Sequence, residues 1–323
     1  MPHLELAGST APWTPDALAD QSGRTVLVTG ANSGLGLHVA TEFARRGADV
    51  LMACRNAERG RAAVAQLTAE VRNSGVEPTV EVVALDVADL ADVRRAASDV
   101  LDRRPSIDVL VNNAGVMVPP FGRTVDGFET QVGTNHLGHF ALTGLLLPAL
   151  LAGGGGRVVS VASVAHRFSR LDRENYQSER SYRKWLAYGQ SKLSNLLFAF
   201  ELQRRAAAAG APIVSTAAHP GLSDTNLWKM TPLSGNRVGE AFAQVLGRAI
   251  GQPAAQGAWP LLRAATDPDA VGGEYFGPGG RQEWRGFPVV VPATPFAYDT
   301  SDAAWLWARS AEWTGVDFEE LTV

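Results

Sequence analysis

Cysteine is almost missing from this chain of 323 residues: Cys54 stands alone. That excludes an intramolecular disulfide and a multi-cysteine metal site, and it fits the reducing cytoplasm. Lysine is nearly as scarce. Of 29 cationic side chains only Lys184, Lys192 and Lys229 are lysines, so a lysine stands here where arginine is the default. Runs of like charge are absent, and a net charge of −4 offers no broad basic surface to nucleic acid or an anionic membrane. No stretch approaches the roughly 18 apolar residues of a membrane helix. The opening Met1-Pro2-His3-Leu4-Glu5-Leu6 lacks the basic start and apolar core of a signal peptide. What is present, 46% hydrophobic and 19% charged residues, is the composition of a soluble globular protein.

From residue 25 onward, short apolar runs alternate with helical periodicity. Strands are expected at 25–29, 48–53, 79–85, 107–111, 157–161, 213–217 and 270–276. Between them, helices are expected from the glycine turn through Arg46 and over 57–73, 89–103, 126–152, 187–209 and 254–266. Strands of this length alternating with helices imply βαβ units, and hence an α/β fold with a doubly wound parallel sheet of the Rossmann type. The expected organisation is one domain over 23–276 with a substrate-lid region near 219–250. An N-terminal arm (1–22) precedes it, and an extension rich in Gly, Pro and Trp (277–323) wraps it.

Between the first strand and first helix runs Thr29-Gly30-Ala31-Asn32-Ser33-Gly34-Leu35-Gly36. Glycines there let a pyrophosphate approach the backbone and rest on the positive end of the helix. The spacing is G-x-x-x-G-x-G, and further motifs follow in order: Leu85-Asp86-Val87, Asn112-Asn113-Ala114-Gly115, Asn135, Ser163, Tyr188-Gly-Gln-Ser-Lys192 and His219-Pro220-Gly221. Together they resemble the short-chain dehydrogenase/reductase family over about residues 23 to 276. The charged, aromatic segment from Arg167 to Lys184 resembles its retinol-dehydrogenase-like members, and the protochlorophyllide-reductase-like branch is also similar.

The resemblance implies a nicotinamide cofactor. Gly30, Gly34, Leu35 and Gly36 would take the pyrophosphate side, Asn32 and Ser33 would add neutral donors near a 2′-phosphate, Asp86 and Val87 would take the adenine, and Asn113, Ala114 and Gly115 the riboses. After Pro220 and Gly221, Ser223 and Thr225 would lie near the carboxamide, although Ser223 replaces a usual aliphatic residue. At the end of the second strand, where an NAD enzyme places an acid, the sequence reads Ala53-Cys54-Arg55-Asn56. Arg55 would pair with a 2′-phosphate, so NADP(H) is expected ahead of NAD(H).

Tyr188 and Lys192 lie four apart and share one helix face. An ammonium about 4 Å away, at an effective dielectric of about 20, contributes about 4 kcal/mol. Before desolvation, that is enough to draw a phenol from about 10 toward neutral pH, where an acid/base works best. The resemblance makes Tyr188 the general acid/base, Ser163 the residue that polarises the substrate oxygen, and Asn135 the holder of a water linking Lys192 to solvent. His136 and His139 have no third ligand type beside them and are expected to be structural.

Leu222, Trp228, Met230, Leu233, Phe242, Val118-Pro119-Pro120-Phe121 and Phe168 are the expected substrate wall, apolar enough for a small lipophilic carbonyl or alcohol. The expected activity is hydride transfer between nicotinamide and a carbonyl or carbinol carbon. Reduction of an activated carbon–carbon double bond and a non-catalytic cofactor-binding regulator remain as alternatives, and a homo-oligomer is compatible.

Overall fold

The computed structural model describes residues 12–222 and 252–322. Eight strands form one sheet in the order β3-β2-β1-β4-β5-β6-β7-β8. They are β1 (Thr25–Thr29), β2 (Asp49–Cys54), β3 (Thr79–Ala84), β4 (Val109–Asn112), β5 (Arg157–Val161), β6 (Val214–Ala218), β7 (Tyr275–Pro278) and β8 (Pro288–Val290). All neighbours are parallel except β7 and β8, which pair antiparallel. The strand order reverses between β1 and β4, which opens a crevice beyond their carboxyl ends.

Alternation along β1 sends Val26 and Val28 to one face and Leu27 to the other. On the first face they meet Val39 and Phe43 of helix α1 (Gly34–Arg45), together with Leu261 and Leu262. On the second, Leu27, Leu51 and Leu110 pack with Phe140, Phe198, Trp307 and Phe318. Both faces are covered, so the strands read as continuous apolar runs instead of alternating ones.

The helix expected over 126–152 is interrupted. It starts at Thr130, where the Glu129 carboxylate caps the Gln131 and Val132 amides, and it widens into a π turn over Gly133–Leu137. It resumes over Gly138–Leu145 and stops at Leu146, because Pro148 has no N–H to continue the ladder and opens the next piece, Leu147–Leu151. Thr130–Leu145 and Leu147–Gly154 are inclined by 62° and are apolar because they line the core. Among the described residues no single helix is long and apolar enough to cross a membrane.

The helix expected at 187–209 begins earlier, at Lys184, and runs to Ala208. β7 begins five residues later than expected because Gly272 and Gly273, the latter at φ +87°, turn the chain first. β7 runs across the expected 276/277 boundary, and the segment beyond it builds more than a wrapping. It adds β8 to the sheet and a helix, Thr300–Thr314, whose Trp307 enters the core.

Candidate active site

A cleft of about 520 Å³ lies at the carboxyl ends of β1, β4, β5 and β6. Its floor at one end is the loop after β1. Gly30 (φ +66°) and Gly34 (φ +58°) adopt the left-handed backbone that glycine tolerates best. Gly36 does not line the cleft; a Cβ there would lie 2.6 Å from both Asn113 Nδ2 and the Gly30 carbonyl, so its role is to let helix and loops approach. Ser33 occupies the N-cap of α1, yet its side chain makes no capping bond. Asn32, Ser33, Gly34 and Leu35 all face the cleft.

Arg55 lines the same end, exposed, and makes no hydrogen bond or ion pair among the described residues. Asp86 and Val87 close that end. The Asp86 carboxylate accepts from the Ala88 amide (3.0 Å), while its own amide donates to Asp92 (2.7 Å), which fixes the turn after β3.

Asn113, Ala114 and Gly115 form the middle. The Thr29 hydroxyl oxygen accepts from the Asn113 and Ala114 amides, each at 2.9 Å. His139 Nδ1 donates to the Asn135 carbonyl (3.1 Å), which leaves Nε2 to accept from the Thr29 hydroxyl (2.9 Å). His136 bonds Ser310 Oγ (2.9 Å). Burial holds His136 down to about 3 and His139 to about 4, so both are neutral structural groups. Among the described residues no cluster of three His, Cys, Asp or Glu could hold a metal ion.

Asn135 sits in the π turn, a local widening common at functional sites. Its side chain accepts from the Val116 amide (2.8 Å) and donates to the Val116 carbonyl (3.0 Å) and Ser191 Oγ (2.9 Å). Both amide protons are therefore taken by protein, and Asn135 pins the loop after Gly115. A Cβ on Gly115 would lie 2.9 Å from Asn135 Oδ1 and 3.6 Å from Lys192 Nζ.

At the far end the cleft is lined by Ser163, just after β5, and by Tyr188 and Lys192 from the helix Lys184–Ala208. Ser163 Oγ accepts from the Ala165 amide (3.2 Å). Lys192 Nζ donates to the Val161 carbonyl (3.0 Å) and lies 5.9 Å from the Tyr188 ring centre. The downward pull expected on the phenol is overturned: burial pushes Tyr188 up to about 12, outweighing the opposing influence of the Ser163 side chain. Burial also draws Lys192 down to about 8. The ammonium is spent on a backbone carbonyl and sits farther away than the helical spacing suggests, so desolvation wins.

Pro220, Gly221, Leu222 and Phe168 line the cleft. Ser223, Thr225, Trp228, Met230, Leu233 and Phe242 lie outside the described residues. Val118–Phe121 does not form cleft wall: Phe121 packs on Tyr182 with ring centres 5.3 Å apart, and Tyr182 donates to the Pro119 carbonyl (2.7 Å). Met117 and Trp185 line the wall instead, and the sequence reading missed both. It also missed Gln131, which accepts from the amide of Val118, a β-branched residue at φ +48°. Such strain, of order 1–3 kcal/mol, persists only where neighbours hold it.

Residues 24–233 match the family model described as short chain dehydrogenase. Retinol dehydrogenase 14 of Mus musculus is 37% identical over 302 residues, spanning 91% of this chain and 86% of that protein. Polyprenol dehydrogenase of Mus musculus is 38% identical over 307 residues, covering 93% and 87%. Among solved structures, a putative uncharacterized protein from Mycobacterium paratuberculosis shares 43% identity with a TM-score of 0.76, covering 95% of this chain and 99% of that one. A putative NAD(P)-dependent gluconate 5-dehydrogenase from Beutenbergia cavernae, solved with bound NADP, shares 26% identity with a TM-score of 0.60 over 79% of this chain and 94% of that one.

Proposed function

The chain belongs to the short-chain dehydrogenase/reductase family of oxidoreductases, and on that footing we propose that it transfers hydride between NADP(H) and a lipophilic carbonyl or alcohol carbon. The cofactor, when bound, supplies the hydride chemistry. The residues that fit it are Gly30 and Asn32–Leu35 of the glycine loop, Arg55, Asp86 and the Asn113–Gly115 stretch, all facing one cleft. Arg55 has no partner among the described residues at the end where a 2′-phosphate would meet it, and the end of β2, where an NAD enzyme places an acid, reads Ala53-Cys54-Arg55-Asn56.

The observation that carries the reading is the convergence of Ser163, Tyr188 and Lys192 on the end of that cleft opposite Arg55. In reduction, Tyr188 donates its proton to the substrate oxygen while Ser163 hydrogen-bonds the same atom. A buried phenol held near 12 is fully protonated at neutral pH, the state an acid needs. In oxidation the phenol first releases its proton to solvent and then takes the proton of the substrate hydroxyl, and Lys192, still cationic below about 8, favours the phenolate. Met117, Ala165, Phe168, Trp185 and Leu222 around this end favour an apolar substrate. The named substrates of the relatives, retinol and polyprenol, are lipid alcohols of that kind. The lone Cys54 fits the reducing cytoplasm, where we place the protein.

The test is a screen of lipophilic aldehydes, ketones and alcohols, following NADPH absorbance with product identification. Carbonyl or alcohol turnover is expected. Products reduced only at a carbon–carbon double bond would overturn the assignment, and cofactor binding without turnover of anything would return the protein to a regulator.

A further inference from the structure

Behind the far end of the cleft, one carboxylate joins three segments distant in sequence. Glu283, from the segment between β7 and β8, accepts from Arg167 Nη2 (2.6 Å) through one oxygen and from His219 Nε2 (3.0 Å) through the other. Arg167 lies just after Ser163 and beside Phe168, and His219 directly follows β6. A carboxylate can only accept, so the His219 proton resides on Nε2. Nδ1 is then a bare acceptor, and it takes the Gly221 amide (3.2 Å). Gly277 packs so closely that a Cβ there would overlap His219 Nε2, and the Tyr275 ring lies 5.2 Å from the imidazole. Bonds at both nitrogens fix the orientation of the ring.

The backbone of the same segment reinforces the arrangement. Gln282 (φ +57°) and Glu283 (φ +58°) are consecutive non-glycine residues in the left-handed region, a strain that persists where surrounding contacts fix it. The Trp284 carbonyl accepts from the Leu222 amide (2.9 Å). A Cβ on Gly221 would overlap that carbonyl. Gly221 and Leu222 thus have one side against this segment while both line the cleft near Ser163 and Tyr188.

We propose that Glu283 is a positioning residue for the nicotinamide half of the dinucleotide: by fixing the His219 tautomer it holds Pro220–Leu222 as the wall on which that half rests. The inference depends on the dinucleotide reading above. The 2′-phosphate end, at Arg55 and Asp86, is outside its reach.

Calorimetric titration with NADPH and with 2′,5′-ADP, which lacks the nicotinamide, separates the two halves. Glu283→Met keeps the length of the side chain and removes both acceptors. NADPH affinity should fall about tenfold, the order of one hydrogen bond to a charged group, while 2′,5′-ADP binds as before. Glu283→Gln, whose amide oxygen still accepts from His219, should recover most of the loss. His219→Phe keeps a ring between Tyr275 and Gly277 and should reproduce the selective loss, which covers the case of a Glu283→Met protein that fails to fold. Unchanged NADPH affinity in Glu283→Met and His219→Phe overturns the role. So does equal loss of both ligands, or a Glu283→Gln protein as impaired as Glu283→Met. A wild-type protein that binds neither ligand overturns the dinucleotide reading, and this inference with it.

Discussion

Replacing Asn135 with Ala tests whether the π turn holds the cleft floor. The side chain is fully buried and makes three hydrogen bonds, two of them to the Val116 backbone. At about 1 kcal/mol net each, with the Val116 groups left to find water in the vacated space, the loss comes to about 2–4 kcal/mol. For a chain of this size each kcal/mol lowers Tm by about 2 °C, so a fall of about 4–8 °C is expected by calorimetry. Asn135→Asp preserves shape but turns an acceptor toward the Val116 carbonyl, and it should also be destabilised, which separates hydrogen bonding from packing. Because Val116 follows Gly115 in the cleft floor, both variants should bind NADPH more weakly in a fluorescence titration. A Tm within about 1 °C of wild type, with NADPH affinity intact, would refute the idea that these bonds pin the loop.

Tyr188→Phe removes only a hydroxyl, so cofactor binding should survive while turnover falls by at least about 10²–10⁴, the usual contribution of a positioned acid/base. Lys192→Arg keeps the charge but should also impair turnover, since a planar guanidinium fits the buried contact with the Val161 carbonyl poorly. Retained activity in Tyr188→Phe would put the proton donor elsewhere. Arg55→Asp should reverse the preference between NADPH and NADH in fluorescence titrations, and equal affinities in the unmutated protein would contradict the assignment. Burial holds His136 near 3 and His139 and His166 near 4, against 6.5 unfolded. Below pH 6.5 the unfolded chain therefore binds more protons, and each histidine removes up to about 1.4 kcal/mol per pH unit as pH falls toward 4. Tm should be lower at pH 5 than at pH 7; equal values would count against neutral burial.

The parallel sheet was legible because both-face burial writes itself as short apolar runs, and β1 through β6 fall within two residues of where those runs lie. Gly30 and Gly34 of the glycine loop, Arg55, Ser163, Tyr188 and Lys192 were legible in the sequence, and the structure gathers them along one cleft. What spacing does not carry is the partner of a side chain across the fold. Thr29 and His139 lie 110 residues apart, and His219 and Glu283 lie 64 apart; nothing local to either pair marks the contact. The same limit explains the phenol. Four residues on a helix placed Lys192 near Tyr188, but the Val161 carbonyl that accepts its hydrogen bond comes from β5, and the burial of both groups depends on the whole fold. The π turn was hidden too, because nothing in the periodicity of Gly133–Leu137 marks it.

The aromatic cluster under the sheet bears on how the chain is made. Phe140 and Phe198 are delivered by a ribosome well before Trp307 and Phe318, whose rings they touch at centre distances of 5.0–6.2 Å. Until those late residues emerge, the nascent sheet presents an open apolar flank, the kind of surface that chaperones recognise and that aggregates when left uncovered. A ribosome that stalls after β7 leaves behind every cleft residue described here and no lid for the core beneath them.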